Sequence, residues 1–366
     1  MGKVIARPGL RKIRDHMVNS ASDLHPGTQI FLNSNESVFG PSANVASAIR
    51  SSLDRVERYP EDASAQLARA LSARFNHPPE QIVCGHGSDD LLARLSRAYL
   101  APGDELVYSR NGYPKIPNYA FANDAIPVAA PDQNFAVDVD SILGAVTDRT
   151  RIVMIANPDN PSGMYLSEES INRLHSGLPG DCLLVLDSAY LEYVDAEDFG
   201  NPAQLVERNE NVVMTRTFSK IFGMAGLRLG WMYAPDDIAN AVSSVGITFP
   251  VSTTALAAGI VALEDKTHTD TVFRLNLEIR NEFSYKLDCM GLEVVPSQTN
   301  FVLVGFPTGS KSAVDAHHYL EANGVIVRRL ASPAYSNYIR FTVGSREDMA
   351  TTADLLKDFL SQAKDQ

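Results

Sequence analysis

Residues 151–178 read RIVMIANPDNPSGMYLSEESINRLHSGL, and the fold class can be predicted from this stretch outward. RIVMIA is a continuous apolar run rich in β-branched residues, which is typical of a strand buried on both faces. A turn rich in Pro, Asn and Gly follows it, and SEESINRLHSGL then has the pattern of a helix. The next apolar run is CLLVLD, residues 182–187. Strand, helix and strand in this order predict a parallel sheet that helices cover on both faces.

The same alternation extends over much of the chain. Further strand-like and helix-like segments are QIVC (81–84), DDLLARLSRAYL (89–100), DELVYS (104–109), NVVMTR (211–216) and LGWMYA (229–234). Beyond residue 250 the order changes to a long amphipathic helix and then short strands with helices between and after them: TVFRLNLEIRNEFSYKLDCMG, VLVGF, AVDAHHYLEANG, VIVRR, YIRFTVG and MATTADLLKDFLSQA. We predict an α/β fold, with a mostly parallel sheet sandwiched by helices in a large domain (40–250) and a smaller α+β domain (1–39 plus 251–366).

The composition excludes several classes of function. The chain has 366 residues and a formal net charge of -12, whereas a general nucleic-acid binder needs a basic face. Its apolar runs are too short for a membrane span, and MGKVIARPGLRKIRDHM at the N-terminus lacks the apolar stretch of a signal peptide. Cys84, Cys182 and Cys289 form neither a disulfide framework nor a zinc pattern. We therefore expect a soluble cytoplasmic protein that binds no nucleic acid, membrane or metal.

Four predicted strands are each followed by residues that can carry chemistry. They are the glycine-rich turn GHGSDD (85–90), Asn160 in the stiff turn NPDNPSG, Asp187, and Lys220 in RTFSK. Each has an ordinary explanation by itself: a tight connection for the two turns, a helix cap for Asp187, and a lysine that extends to solvent. In open α/β sheets, however, ligands bind beyond the carboxyl ends of the strands. An anion cradle, an amide, a carboxylate and a lysine are therefore expected to meet there.

This set of groups fits the chemistry of pyridoxal 5′-phosphate. A lysine forms a Schiff base with its aldehyde, and a carboxylate keeps its pyridine nitrogen protonated, so that the ring becomes an electron sink. Asn160 and Tyr190 are candidate partners of its phenolic oxygen. The GHGSDD turn, Ser219 and Arg228 are candidates to hold its phosphate. The cofactor also explains why Lys220 and Arg228 lie in so apolar a segment, TRTFSKIFGMAGLRLGW (215–231).

Several of these segments also resemble those of a known family. NPDNPSG, LDSAY and TFSKIFGMAGLRLGW resemble the signature segments of fold-type I aminotransferases. LNSNESVFGPS (32–42), RYP (58–60), GHGSDD and YIRFTVGSRED (338–348) are similar to segments of the histidinol-phosphate aminotransferases. The matches run in order from about residue 30 to residue 348.

The resemblance implies a role for each matching residue. Lys220 would be the Schiff-base lysine and proton shuttle, Asp187 the partner of the pyridinium nitrogen, and Tyr190, with Asn160, the partner of the phenolic oxygen. Tyr113 would stack on the cofactor ring, and for both Tyr113 and Tyr59 a role as a packing aromatic is the alternative. The phosphate would be surrounded by Gly87, Ser88, Asp89, Thr217, Ser219 and Arg228, and by Tyr59 of the neighbouring subunit, so that a homodimer is expected. Substrate would be bound by Asn35, Arg340 and Arg328, with Arg329 as the alternative to the last.

The chain also departs from the family pattern. Glu36-Ser37-Val38 stands where the family has Glu-Asn-Pro, and the N-terminal tyrosine that helps to hold a substrate phosphate has no counterpart. ARPGLRKIRDH (6–16) offers arginines and His16 instead. The expected reaction is transfer of the amino group of L-histidinol phosphate to 2-oxoglutarate, giving imidazole-acetol phosphate and L-glutamate. The alternatives are an aromatic amino acid aminotransferase, a decarboxylase that uses the same cofactor, and a non-enzymatic ligand-sensing domain.

Overall fold

A computed structural model of the chain describes residues 4–13, 29–60, 64–309 and 311–362. The strands are β1 (Ile30–Leu32), β2 (Ile82–Gly85), β3 (Glu105–Ser109), β4 (Ile126–Ala130), β5 (Asp132–Gln133), β6 (Ala136–Val137), β7 (Thr150–Ala156), β8 (Leu183–Asp187), β9 (Val212–Thr217), β10 (Gly230–Tyr233), β11 (Glu293–Val295), β12 (Phe301–Gly305), β13 (Val325–Arg329) and β14 (Tyr338–Thr342). The α-helices are α1 (Ala43–Ser52), α2 (Ala65–Phe75), α3 (Ser88–Tyr99), α4 (Ile116–Phe121), α5 (Val139–Gly144), α6 (Glu168–Ser176), α7 (Pro202–Arg208), α8 (Asp236–Ser244), α9 (Thr253–Glu264), α10 (Lys266–Cys289), α11 (Ala313–Ala322) and α12 (Arg346–Ser361).

The larger sheet has seven strands in the order β2-β10-β9-β8-β7-β3-β4. All neighbouring pairs from β9 to β4 are parallel, and β10 is antiparallel to both of its neighbours. Along β8 the side chains alternate between two buried clusters, since Leu183 and Val185 join one, and Leu184 and Leu186 the other. The sheet is therefore packed on both faces, and the predicted fold class is confirmed.

The smaller sheet has five strands in the order β1-β13-β14-β12-β11, and it receives β1 from the N-terminal part of the chain. Its apolar cluster includes Leu32, Phe283, Phe341 and Leu356, so that α10 and α12 cover it. The boundary at residue 250 stays a prediction, because α9 beyond it packs against α1 and α2 of the larger sheet's layer.

The sheet topology places four strand ends at one edge. Because β2 and β9 are both antiparallel to β10, they point the same way, and β7 and β8 are parallel to β9. The carboxyl ends of all four therefore open onto the same edge, where α/β sheets bind ligands. None of the helices in the described ranges is long and apolar enough to cross a membrane.

Candidate active site

Lys220 follows β9 and is mostly enclosed by protein. Its Nζ donates to the carbonyl oxygen of Asn35 at 3.0 Å and lies 5.6 Å from the ring centre of Tyr190. Burial, together with the positive charges of Arg340 and Arg228, lowers the pKa of Lys220 to about 8. A lysine that loses its proton this readily is suited to form a covalent bond through its amine.

Asp187 ends β8 with only 7% of its surface exposed. Thr215 Oγ1 donates to its Oδ1 at 3.1 Å. Burial first, and then the negative charge of Asp89, raise the pKa of Asp187 to about 7. The residue does not cap a helix, since the short helical turn that follows starts after Tyr190. A buried carboxyl group with one neutral side-chain partner is a place where a cationic ring nitrogen would be stabilised.

An open cradle for an anion lies where α3 begins. Its N-cap residue, Gly87, has φ +83° and no side chain to cap the first turn. A Cβ added at Gly87 would lie 2.8 Å from Nη2 of Arg228, so the guanidinium group closely approaches the bare backbone. Arg228 itself is held by Ser219 Oγ, at 3.2 Å from its Nη1, and by the carbonyl of Ala225 at 3.0 Å. Free helix N–H groups facing a guanidinium group fit a phosphate.

The carboxylate of Asp89, a residue expected beside the phosphate, is bound by three other side chains. Its carboxylate accepts hydrogen bonds from the hydroxyls of Tyr113 at 3.2 Å and Tyr119 at 2.8 Å, and from Lys115 Nζ at 2.9 Å. Burial alone would raise the pKa of Asp89, but Lys115 and the two hydroxyls outweigh it and lower the pKa. Only the backbone N–H of Asp89 is left to face an anion, while its side chain positions Tyr113.

Arg340 and Asn160 form a directly bonded pair. Arg340 lies on β14 and donates from Nη1 to Asn160 Oδ1 at 2.6 Å, and from Nη2 to the carbonyl of Asn33 at 2.9 Å. This leaves the amide nitrogen of Asn160 to donate into the site. Burial, together with the charge of Arg328, lowers the pKa of Arg340 to about 10, which still leaves it positive at neutral pH.

The strand register distinguishes Arg328 from Arg329. Arg328 on β13 lies directly opposite Arg340 on β14, and the side chains of such a pair project from the same face of the sheet. Arg329 lies opposite Ile339 and is exposed on the other face. The structure therefore brings Arg328 and Arg340 together and separates Arg329 from them.

Two further expected residues occupy less direct positions. Thr217 Oγ1 donates to the carbonyl of Leu229 at 3.4 Å and accepts from the N–H of Ser219 at 3.1 Å, so its hydroxyl is used within the loop. Tyr59 is 77% exposed and stacks on Phe249 with ring centroids 4.5 Å apart. His16 lies outside the described residues.

Sequence reasoning did not identify several residues that shape this site. Lys115 and Tyr119 hold Asp89, Thr215 holds Asp187, and Thr342 and Asn300 both bond Asn35. Of these contacts, strand alignment could have suggested only the one between Thr215 and Asp187, because the two residues lie opposite each other on β9 and β8.

Together these groups fit pyridoxal 5′-phosphate. The anion cradle would hold its phosphate, the carboxyl group of Asp187 would pair with its ring nitrogen, and Lys220 would reach its aldehyde. The amide of Asn160 and the hydroxyl of Tyr190 would meet its phenolic oxygen. Each acceptor or donor that the cofactor needs thus has a partner of the right chemistry in the described part of the chain.

Comparisons with known proteins agree with this assignment. The family described as aminotransferase class I and II matches residues 27–356. The chain is 42% identical to the histidinol-phosphate aminotransferase of Rhodospirillum centenum (strain ATCC 51521 / SW), over 98% of this chain and 99% of that protein. It is 39% identical to that of Paramagnetospirillum magneticum (strain ATCC 700264 / AMB-1), over 97% and 98%.

A solved structure is similar over most of its length. The histidinol-phosphate aminotransferase of Sinorhizobium meliloti in complex with pyridoxal 5′-phosphate is 28% identical, with a TM-score of 0.84 over 90% of each chain. The chain belongs to the class I and II aminotransferases and, within them, to the histidinol-phosphate aminotransferases.

Proposed function

We propose that the protein transfers the amino group of L-histidinol phosphate to 2-oxoglutarate, with pyridoxal 5′-phosphate as its cofactor. The products are imidazole-acetol phosphate and L-glutamate. The observation that carries this proposal is the pairing of Arg328 with Arg340 on one face of the smaller sheet, beside Asn160. Both substrates present an anionic group, a phosphate in one and a carboxylate in the other, and guanidinium groups bind either with two parallel hydrogen bonds.

The residues around Lys220 suit a proton transfer at the substrate Cα. When bound, the cofactor supplies an electron sink that stabilises negative charge at that carbon. Lys220 would hold the cofactor covalently until an amino donor displaces it. Its free amine would then take the proton from the substrate Cα and deliver it to C4′ of the cofactor. The pKa of Lys220, lowered from 10.5 to about 8, makes the neutral amine that this role requires more available than in an ordinary lysine. Asp187 would keep the ring nitrogen protonated, while Tyr190 and Asn160 would orient the ring.

The phosphate of the cofactor is assigned to the cradle at the start of α3. Its ligands would be the backbone of Gly87, Ser88 and Asp89 together with Thr217, Ser219 and Arg228. Tyr113 would stack on the ring, and the carboxylate of Asp89, which accepts from its hydroxyl at 3.2 Å, would hold it in place.

A homodimer and a cytoplasmic location complete the proposal. Tyr59 is 77% exposed and stacks on Phe249, a position in which a neighbouring subunit could contact it. The three cysteines are free, and Cys84 and Cys182 are buried, as in proteins of a reducing compartment. Size-exclusion chromatography with light scattering would test the dimer, and Tyr59→Phe should weaken cofactor binding.

The two arginines allow a direct test of substrate recognition. Arg328→Met should raise the KM for L-histidinol phosphate about 10- to 100-fold, the cost of losing a hydrogen bond to a charged group. Arg329→Met is the matched control and should leave the KM unchanged, since the Arg329 side chain projects from the opposite face of the sheet. Equal effects of both variants would contradict the assignment. Preference for an aromatic amino acid over L-histidinol phosphate would replace the proposed donor and retain the reaction class.

A further inference from the structure

Asn35 is the most completely bonded polar residue of the site. It is 2% exposed and has φ +55°, a left-handed conformation that Asn and Asp tolerate better than most residues other than glycine. Its N–H donates to Thr342 Oγ1 at 2.9 Å, and its Oδ1 accepts from the same hydroxyl at 3.2 Å. Its carbonyl oxygen accepts from Asn300 Nδ2 at 3.1 Å and from Lys220 Nζ at 3.0 Å. Its Nδ2 donates to the Tyr190 hydroxyl oxygen at 2.9 Å.

The direction of these hydrogen bonds can be worked out from the one that cannot reverse. A backbone N–H only donates, so Thr342 Oγ1 accepts from Asn35, and its own proton is available for Asn35 Oδ1. The other amide atom is then the nitrogen, which donates to Tyr190. In the opposite amide orientation the Thr342 proton would have no acceptor among the described residues. The oxygen of Tyr190 is therefore an acceptor towards Asn35, and its proton points elsewhere.

We propose that Asn35 is a positioning residue that directs the hydroxyl proton of Tyr190 towards the phenolic oxygen of the bound cofactor. This inference rests on the proposed cofactor and assigns to Asn35 a role other than substrate contact. Within the described ranges, the Tyr190 hydroxyl proton has no protein acceptor, so an oxygen of the cofactor would act as its acceptor. A donor at the phenolic oxygen favours its ionised form, and Asn35 would thereby tune the acidity of the cofactor.

Charged groups around Tyr190 act in parallel and must be separated from this effect. Arg340, Asp187 and Asp159 all influence the hydroxyl electrostatically, and Lys220 lies over the ring. Burial raises the pKa of Tyr190 to about 12, so the hydroxyl keeps its proton at neutral pH and remains a donor.

Asn35→Asp reverses the hydrogen bond while keeping the shape and the backbone preference of the residue. A carboxylate cannot donate, so Tyr190 would donate to it, and the phenolic oxygen would lose the Tyr190 donor while keeping that of Asn160. The measurement is the pH midpoint at which the visible absorption of the bound cofactor changes, which needs no substrate. We expect the midpoint to rise by about one pH unit or more. Because no amino-donor substrate is added, the result does not depend on which amine the enzyme uses.

A double variant and a charge control distinguish this mechanism from others. If Asn35 acts through Tyr190, Asn35→Asp should add nothing to the shift caused by Tyr190→Phe. Asn300→Asp introduces the same charge beside Asn35 without touching Tyr190, and should leave the midpoint in place. An unchanged midpoint in Asn35→Asp, or shifts that add in the double variant, would overturn the proposal.

A second pair of variants covers the case in which Asn35→Asp does not fold. Thr342→Val removes the hydroxyl that orients the Asn35 amide and nearly preserves the side-chain shape, whereas Thr342→Ser keeps the hydroxyl. The midpoint should rise in Thr342→Val and stay in place in Thr342→Ser. Equal midpoints in these two variants would also refute the inference.

Discussion

Asp187→Asn should stabilise the cofactor-free protein at neutral pH and weaken the cofactor-bound form. The Asp187 carboxyl is buried and its pKa is raised from 3.8 to about 7, chiefly by burial. The folded chain therefore holds a proton that the unfolded chain has already lost between pH 4 and pH 7. Because the folded state binds more protons in this interval, stability falls as the pH rises through it and is level above it.

The magnitude follows from the interval. Each unit of pKa difference corresponds to about 1.4 kcal/mol, so between pH 5 and pH 7 the folded protein loses about 3 kcal/mol of unfolding free energy through Asp187. Asparagine has the same shape and no charge to bury. In the absence of cofactor, the difference in unfolding free energy between Asp187→Asn and the native protein should therefore be about 3 kcal/mol more favourable to the variant at pH 8 than at pH 5.

The assay is urea unfolding of the cofactor-free protein at pH 5 and pH 8, at one fixed protein concentration. Asp159→Asn is the matched control, because burial also raises the pKa of Asp159 to about 7 and no cofactor atom is assigned to it. In the absence of cofactor, both variants should show a smaller pH dependence of the unfolding free energy than the native protein. Once cofactor is bound, only Asp159→Asn should still do so, since Asp187 is then paired. If Asp187→Asn gains nothing at pH 8 over pH 5, Asp187 does not hold the proton.

Three further substitutions test separate parts of the site. Lys220→Ala should abolish amino transfer while leaving the circular dichroism spectrum unchanged, and turnover like that of the native protein would contradict the assignment. Gly87→Ala should weaken cofactor binding about tenfold or more, because a Cβ there would lie 2.8 Å from Nη2 of Arg228 and push the guanidinium group away from the phosphate, and a hydrogen bond to a charged group is worth about 1.5–3 kcal/mol. An unaltered Kd would argue against the phosphate cradle. Arg340→Lys should raise the KM of both the donor and 2-oxoglutarate, since lysine lacks the planar fork, and an effect on one substrate alone would show that the site is not shared.

The larger sheet could be predicted well because its strands are apolar on both faces. The run CLLVLD corresponds to β8 at Leu183–Asp187, and RIVMIA to β7 at Thr150–Ala156. Continuous apolar runs mark buried strands independently of what surrounds them. The residues that follow such strands were predictable for the same reason, since topology sends the ends of parallel strands to one edge.

What the sequence could not provide depends on contacts between distant parts of the chain. Asn35 acquires its role from Tyr190, Asn300 and Thr342, which come from three other elements. The choice between Arg328 and its neighbour depends on the register of β13 against β14, and a shift by one residue would have reversed it. Neither relation leaves a periodic signal in the sequence.

The partners of Asp89 show the same limit in a buried network. Lys115 and Tyr119 lie in and beside α4, and no local motif connects them with the turn that carries Asp89. The motif predicts that Asp89 lies beside the phosphate, but it carries no information about the partners of the carboxylate. In the structure that carboxylate accepts from two tyrosines and a lysine.

The central claim is the identity of the amino donor, and a single-turnover donor screen tests it most directly. The cofactor-loaded protein would be mixed with L-histidinol phosphate, phenylalanine, tyrosine or histidine, without any 2-oxo acid, while the visible absorption of the cofactor is followed. With Arg328 and Arg340 paired at the site, L-histidinol phosphate should react about 100-fold faster per unit concentration than the other amines. Equal or faster reaction of an aromatic amino acid would contradict the account of substrate recognition.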